Sequence, residues 1–170
     1  MIIGVLKETV EGEFRVAATP ETVKKLINLK HTVYVESDAG IEASITNQMY
    51  IEAGGVIKNN ADIFKSDLIL KVRAPNNNEV ENLQANQFIV GLLEPFNKVL
   101  TPQLAKKKVT AFSLEALPRN TRAQSMDVLS SQANIAGYKA VILAADYFKK
   151  FFPMLMTAAG TVKAARIIIL

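Results

Sequence analysis

The sequence predicts an α/β fold with a mainly parallel sheet. Short apolar or alternating segments, typical of strands, recur along the chain and are separated by segments with helical periodicity. The helical segments are about ten residues long, which suits right-handed crossovers between parallel strands. No internal repeat or low-complexity linker interrupts this alternation.

The boundaries of the individual elements are marked by local signals. Thr19 and Pro20 are an N-cap and a proline at the first helical position, Gly54-Gly55 closes a second helix, and Asn76–Asn78 is a loop or helix start. The predicted strands are Ile2–Leu6, Thr32–Glu36, Asp67–Val72, Gln87–Leu93 and Val109–Leu114, and the shorter helices are Pro20–Leu26, Asn47–Ala53 and Thr101–Lys107. We therefore expect a flavodoxin-like, three-layer domain with about five strands in its sheet.

A long helix and an apolar segment follow this domain. The helix is predicted from about Ser131 to Phe151 and has two apolar stripes, which is typical of a helix wedged between two bodies. Ile167–Leu170 has the pattern of a buried strand. In dinucleotide-binding units such a strand leads into a glycine-rich phosphate loop, but the sequence contains no G-x-G-x-x-G.

The composition is that of an ordinary globular protein. Of the 170 residues, 49% are hydrophobic and 21% are charged, which suits about one domain. The net charge is +4, but the basic residues are scattered, apart from Lys106–Lys108 at the end of a predicted helix, where cations suit the helix dipole. Because no aromatic residues alternate with basic ones, we expect no nucleic acid partner.

The sequence contains no cysteine, which excludes disulfides and thiolate metal ligands, and we expect no metal site. The first residues lack the basic segment and the long apolar run of a signal peptide. No uncharged apolar run reaches the roughly 18 residues that a membrane helix needs. We therefore expect a soluble chain.

The most distinctive motif is Arg119–Asp127, which places arginine, amide and carboxylate side chains within nine residues and is followed by Ser130. Pro118 before it and the long helix after it predict a loop at a helix entrance. Loops on a rigid scaffold commonly carry binding residues. This segment is therefore the candidate functional site.

Structural interpretations of the same residues stay open. Asp127 and Ser130 can cap the long helix, and Arg119 and Arg122 can form surface ion pairs. His31, the only histidine of the chain, follows a helix at a turn and suits a solvated helix end better than a catalytic base.

Two long motifs resemble the soluble nucleotide-binding alpha subunit of proton-translocating NAD(P) transhydrogenase. They are L-P-R-x-x-R-A-Q-S-M-D-x-L-S-S-Q-A-N-I-A-G-Y at Leu117–Tyr138 and F-P-M-L-M-T-A-A-G-T-V at Phe152–Val162. In addition, Ile3–Glu8 and Glu13–Ala17 resemble the N-terminus that this subunit shares with alanine dehydrogenases. The resemblance covers essentially the whole chain.

The resemblance implies an architecture of three parts. Residues 1–130 are expected to form the N-terminal domain, 131–152 a long interdomain helix, and 153–170 a connector and the first strand of an NAD-binding Rossmann domain. That family's alpha subunit is considerably longer, and its later part carries the glycine loop and the helices that return to the first domain.

The resemblance also implies a function: hydride transfer between NADH and NADP⁺ coupled to proton translocation. In the family, the loop of the first domain closes over NAD(H). The implied catalytic residues are Gln124, Arg119 and Asp127, and the implied cofactor-binding residues are Arg119, Asn120, Thr121, Gln124, Asp127 and Ser130. The implied partners are NADP(H)-binding and membrane-spanning subunits or domains and a second alpha subunit in a homodimer, at the cytoplasmic face of the inner membrane. The 170 residues alone are expected to be inactive.

Two other functions are alternatives to transhydrogenation. In alanine dehydrogenases the arginine at the place of Arg15 binds the substrate carboxylate, together with a lysine that is Arg73 here and a histidine expected near Phe88–Pro95. No histidine lies there, so proton transfer to an imine or ketone is disfavoured, and Arg15 and Arg73 are expected to have structural or interdomain roles. The second alternative is a non-catalytic folding or interaction module.

Overall fold

The computed structural model describes residues 1–169. The chain divides into two compact units, one from Met1 to Met126 and one beginning at Asp127. Within the described residues no helix combines the length and the apolar character needed to cross a membrane.

The first unit is built on a parallel sheet of six strands. These are β1 Ile2–Val5, β2 Thr32–Glu36, β3 Val56–Lys58, β4 Leu68–Leu70, β5 Phe88–Gly91 and β6 Thr110–Ser113. Their order is β3-β2-β1-β4-β5-β6, and all pairs are parallel. Without the short edge strand β3, the remaining five follow the flavodoxin-like order. The predicted fold class is therefore confirmed, with one edge strand more than expected.

Five helices of the first unit connect these strands: α1 Pro20–Asn28, α2 Asn47–Glu52, α3 Asn60–Ile63, α4 Asn77–Asn82 and α5 Leu100–Lys106. The predicted N-cap of α1 is confirmed, since the Thr19 hydroxyl accepts from the Thr22 backbone N–H at 3.3 Å. At α4, Asn76 and Glu79 form a capping box in which each side chain binds the other's backbone N–H. The segment Asn76–Asn78 is therefore a helix start.

Two apolar clusters fill the two faces of the sheet. Ile3 and Val5 of β1 belong to one cluster, and Ile69 of β4 belongs to the other. The register pairs Gly4 with Ile69, and because successive residues of a strand point to opposite faces, the two clusters lie on opposite sides.

A Cβ on Gly4 would lie 2.7 Å from the Ser66 hydroxyl oxygen, so only glycine fits between β1 and the segment before β4.

The second unit contains the long helix α6 Val128–Tyr147 and an antiparallel hairpin, β7 Leu155–Thr157 with β8 Gly160–Val162. The long helix is confirmed, but it begins before the predicted Ser131 because Asp127 caps it, and it ends before the predicted Phe151. None of its residues is buried within the described part of the chain. Both apolar stripes are therefore uncovered here.

The predicted strand at Ile167–Leu170 is wrong over its described residues. Residues 163–169 belong to no helix or strand, and Ile168 is 85% exposed. A strand needs a neighbour to bind its backbone N–H and C=O groups, and no strand within residues 1–169 pairs with residues 167–169. Leu170 lies outside the described residues.

Candidate functional site

The sheet of the first unit has a switch point between β1 and β4, where the strand order reverses. In open α/β sheets, ligands bind outside the carboxyl ends of the strands at such a point. Glu8 follows β1 and Lys71 follows β4 directly. The charged side chains at this carboxyl edge of the sheet therefore determine which ligands the first unit can bind there.

Lys71 is a fully buried cation held between two carboxylates. Its side chain is 0% exposed, and its Nζ lies 2.6 Å from Glu79 Oε1 and 3.8 Å from Glu8 Oε2. Burial raises the pKa of the Glu8 carboxyl, an effect that Lys71 and two backbone N–H groups counter only partially. The three side chains join the segment after β1, the end of β4 and helix α4. We call them the Lys71 triad.

Three glutamates occupy backbone N–H groups along this carboxyl edge. Their carboxylate oxygens accept from the second or third residue beyond a neighbouring strand, at N···O distances between 2.6 and 3.2 Å. These edge glutamates are Glu36 at Lys7, Glu8 at Val72 and Arg73, and Glu115 at Leu93 and Glu94. Backbone N–H groups at such edges are common ligands for anions, and here the protein's own carboxylates take five of them.

Glu13 binds two arginines at the same edge. Its Oε1 accepts from Arg15 Nε at 2.6 Å, and its Oε2 lies 2.6 Å from Arg15 Nη2 and 2.7 Å from Arg73 Nε. The hydrogen bond from Arg15 is the main cause that lowers the pKa of the Glu13 carboxyl to about 2. Both guanidinium groups thus have an internal carboxylate partner, which agrees with the structural role expected for Arg15 and Arg73.

The Glu13 ion pairs make stability depend on pH. Since the pKa of Glu13 is about 2 in the folded chain and 4.5 as its ordinary value, its contribution is complete above about pH 5 and is lost as the pH falls towards 2. At neutral pH we expect the free energy of unfolding of wild type to exceed that of Glu13→Gln by roughly 1–2 kcal/mol. This range is reduced because solvent screens the partly exposed arginines. Urea unfolding of both proteins between pH 7 and pH 2 measures this. A constant difference across that range would contradict the assignment.

The candidate loop, Pro118–Met126, is an ordered turn with polar side chains outside. Asn120 Oδ1 accepts from the Ala123 backbone N–H at 3.0 Å, and the Ala123 carbonyl accepts from the Met126 N–H at 2.8 Å. Ala123 is buried, whereas Arg119 and Gln124 are exposed. The loop is therefore fixed by its own hydrogen bonds and presents these two side chains to solvent, together with Thr121.

The two remaining predicted site residues lie at the start of the second unit. Asp127 is the N-cap of α6: its Oδ1 accepts from the Ser130 backbone N–H at 3.0 Å, and its Oδ2 accepts from the Ser130 hydroxyl at 2.6 Å. The capping interpretation of this pair is therefore confirmed. A ligand contact of either residue stays a prediction.

The sequence interpretation did not single out Glu8, Lys71, Glu79 or Glu115 as site residues. One signal was present, because Asn76-x-x-Glu79 has the spacing of a capping box. The others become visible only through the register of the sheet, which brings Glu8 to the backbone of Val72 across 64 residues of sequence.

A model of the family "Alanine dehydrogenase/PNT, N-terminal domain" matches residues 4–136. The chain belongs to this family. It is 43% identical over 171 residues to the NAD(P) transhydrogenase subunit alpha of Haemophilus influenzae, covering 100% of this chain and 33% of that protein. It is also 40% identical over 172 residues to the NAD(P) transhydrogenase subunit alpha of Cereibacter sphaeroides, covering 99% of this chain and 33% of that protein.

A solved structure agrees with these relatives. The transhydrogenase from Sinorhizobium meliloti matches this alanine dehydrogenase/PNT domain with a TM-score of 0.93 and 44% identity, covering 97% of this chain and 50% of that one. The resemblance inferred from the motifs is therefore confirmed. The chain spans about a third of the length of the two subunits and half of the solved chain.

Proposed function

We propose that this chain acts as the N-terminal part of the alpha subunit of an NAD(P) transhydrogenase and that its loop Pro118–Met126 closes over NAD(H). The observation that carries the proposal is the loop itself. Its backbone is fixed by Asn120 and Ala123, and Arg119 and Gln124 are exposed on it. A fixed loop with exposed polar groups suits a nucleotide that is held mainly by another domain.

The residues of the first unit fit such a shared site and not a complete nucleotide site. A dinucleotide site needs backbone N–H groups for its pyrophosphate, and the edge glutamates occupy those at the ends of β1, β4 and β5. Side-chain contacts remain for this unit to supply. When bound, NAD(H) supplies the hydride, and the residues of the chain bind it, orient it and exclude water.

Each residue of the loop has a role in this proposal. Arg119 donates charge-assisted hydrogen bonds to pyrophosphate or ribose oxygens, and Gln124 both donates and accepts, so it can join ribose hydroxyls of two nucleotides. Asn120 fixes the turn through its side-chain oxygen and offers its amide N–H groups to the ligand, and Thr121 offers its hydroxyl. Asp127, beyond the loop, accepts from ribose hydroxyls or from the nicotinamide amide, and the Ser130 hydroxyl offers a further contact.

The rest of the assembly is inferred from the family. NADP(H) binds to a partner domain or subunit, and hydride transfer between NADH and NADP⁺ is coupled to proton translocation by membrane-spanning parts. The complete alpha subunit is a homodimer at the cytoplasmic face of the inner membrane. Residues 131–152 join the N-terminal domain to a nucleotide-binding domain that residues 153–170 begin.

Amino-acid dehydrogenation is the weaker alternative. Glu13 binds the guanidinium of Arg15, which a substrate carboxylate would otherwise occupy. The segment Phe88–Pro95 contains no histidine, so the chain lacks the acid/base group that this reaction would need at that place. The other alternative, a non-catalytic module, predicts that changes to the exposed side chains of the loop leave transhydrogenation unchanged.

We expect the 170-residue chain alone to bind NADH very weakly. Most contacts to a dinucleotide come from a glycine loop and the helix N-terminus behind it, and neither is present in this sequence. Fluorescence or calorimetric titration with NADH is expected to show no saturation in the micromolar range. Saturable micromolar binding would mean that the first unit holds the nucleotide by itself and that the shared site is wrong.

A further inference from the structure

Glu115 connects two loops at the carboxyl edge of the sheet. It lies in the 3₁₀ turn Leu114–Ala116, directly after β6. Its Oε1 accepts from the Glu94 backbone N–H at 2.6 Å, and its Oε2 accepts from the Leu93 N–H at 3.2 Å and from the Ser113 hydroxyl. One carboxylate thus holds the first residues after β5 to the end of β6.

The backbone after β5 needs this acceptor. Glu94 has a φ of +51°, a left-handed conformation that a residue with a side chain keeps only when its surroundings enforce it. Successive N–H groups next to a left-handed residue form a small anion-binding concavity, and Glu115 supplies the anion. Burial works to raise the pKa of Glu115, but the hydrogen bonds from Ser113 and from nearby backbone N–H groups outweigh it, so the pKa lies below its ordinary value.

The turn that contains Glu115 ends at Ala116, and the loop Pro118–Met126 begins two residues later. A residue that fixes this turn therefore fixes the base of the loop. The loop after β5 is itself closed on its other side by Asn97, whose Oδ1 accepts from the Val99 and Leu100 backbone N–H groups at 3.0 and 3.1 Å. Glu115 thus joins this loop to the turn that leads into the loop Pro118–Met126.

We propose that Glu115 is a positioning residue that fixes the loop Pro118–Met126 against the loop after β5 and thereby sets where Arg119 and Gln124 reach. The proposal rests on the proposed function, because those two side chains act on nucleotide only if that function holds. Glutamine at this position has a single acceptor oxygen, and its NH₂ group faces a backbone donor. Glu115→Gln therefore keeps the size of the side chain and removes one of its two acceptors.

The first test uses amide hydrogen exchange of the chain. In Glu115→Gln we expect at least one of the Leu93 and Glu94 amides to exchange about tenfold faster or more, the size expected for loss of a hydrogen bond to a charged group. Glu42→Gln, an exposed change of the same type, and Ser113→Ala, which keeps both carboxylate oxygens, are expected to leave these two amides near wild type. Unchanged exchange in Glu115→Gln would overturn the proposal.

The second test uses a full-length alpha subunit that carries this sequence. Glu115→Gln is expected to slow single-turnover hydride transfer by about 10- to 100-fold, since misplacement on the scale of 1 Å has such effects, while the NADH dissociation constant changes less than threefold. A wild-type rate in Glu115→Gln beside a slow Gln124→Asn would overturn positioning and leave the proposed function intact. Wild-type rates in both variants would overturn both proposals.

Discussion

Gln124→Asn is expected to slow hydride transfer by about 100-fold in a full-length alpha subunit that carries this sequence, with little change in NADH affinity. Gln124 is exposed at the start of the 3₁₀ turn Gln124–Met126, so the substitution leaves the fold intact. Removing one methylene shortens its reach by about 1.5 Å. A displacement of about 1 Å can lower a rate on the order of 100-fold when the protein's contribution is to orient two reactants.

Arg119→Ala and Ser125→Ala are the matched comparisons. Arg119 is expected to contact bound nucleotide before and during transfer, so its loss is expected to weaken NADH binding by about 1.5–3 kcal/mol. Ser125 is an exposed neighbour on the same turn, and Ser125→Ala is expected to change neither the rate of hydride transfer nor the affinity for NADH. Single-turnover rates measured beside equilibrium NADH affinities separate these cases. If Gln124→Asn transfers hydride at the wild-type rate, the loop is a lid or a cap and does not position the nucleotides.

Lys71→Met is expected to lower the free energy of unfolding by about 3–5 kcal/mol, the usual effect of removing one partner from a buried ion pair. Lys71 is 0% exposed, and Glu8 and Glu79 beside it are at most 9% exposed. Without the cation, both carboxylates would be buried with no positive charge between them. Urea unfolding at neutral pH measures the difference.

Lys25→Met is the control for this substitution. Lys25 pairs with Glu21 across one turn of α1, and both side chains are more than 70% exposed. Solvent screens both charges of a surface pair of this kind, so the same change of residue type should have little effect on the free energy of unfolding there. Equal effects of Lys71→Met and Lys25→Met would mean that the Lys71 triad does not stabilise the first unit.

The elements with strong local signals could be predicted from the sequence, and several of the shortest ones could not. Helix α1 has an N-cap and a proline within its first turn, and these are local signals. Strand β3 has three residues and helix α3 has four, too few for either periodicity to appear. The hairpin of β7 and β8 turns at Ala158-Ala159, which has none of the residues that mark a tight turn. The apolar run at Ile167 predicted a strand from its composition alone, although pairing decides whether a strand forms.

The candidate site also has a part that could be predicted from the sequence and a part that could not. The loop that carries Arg119 and Gln124 is one continuous segment, so its motif could be found and its position before a helix predicted. The Lys71 triad and the edge glutamates bring together residues from different strand ends. Glu8 and Val72 meet only because β1 and β4 pair in one particular register, and no local pattern in the sequence encodes that pairing.

The edge glutamates also bear on how the sheet selects its alignment during folding. Glu8 binds two consecutive backbone N–H groups of the β4 end, and Glu115 binds two consecutive N–H groups of the β5 end. A slip of one residue between β1 and β4 or between β5 and β6 would carry one carboxylate past its donors and turn the core side chains to the wrong face. A carboxylate stranded in this way costs free energy because it has lost water without gaining partners. Misaligned sheets are therefore penalised by charge as well as by packing, and the native alignment is favoured over its nearest competitors.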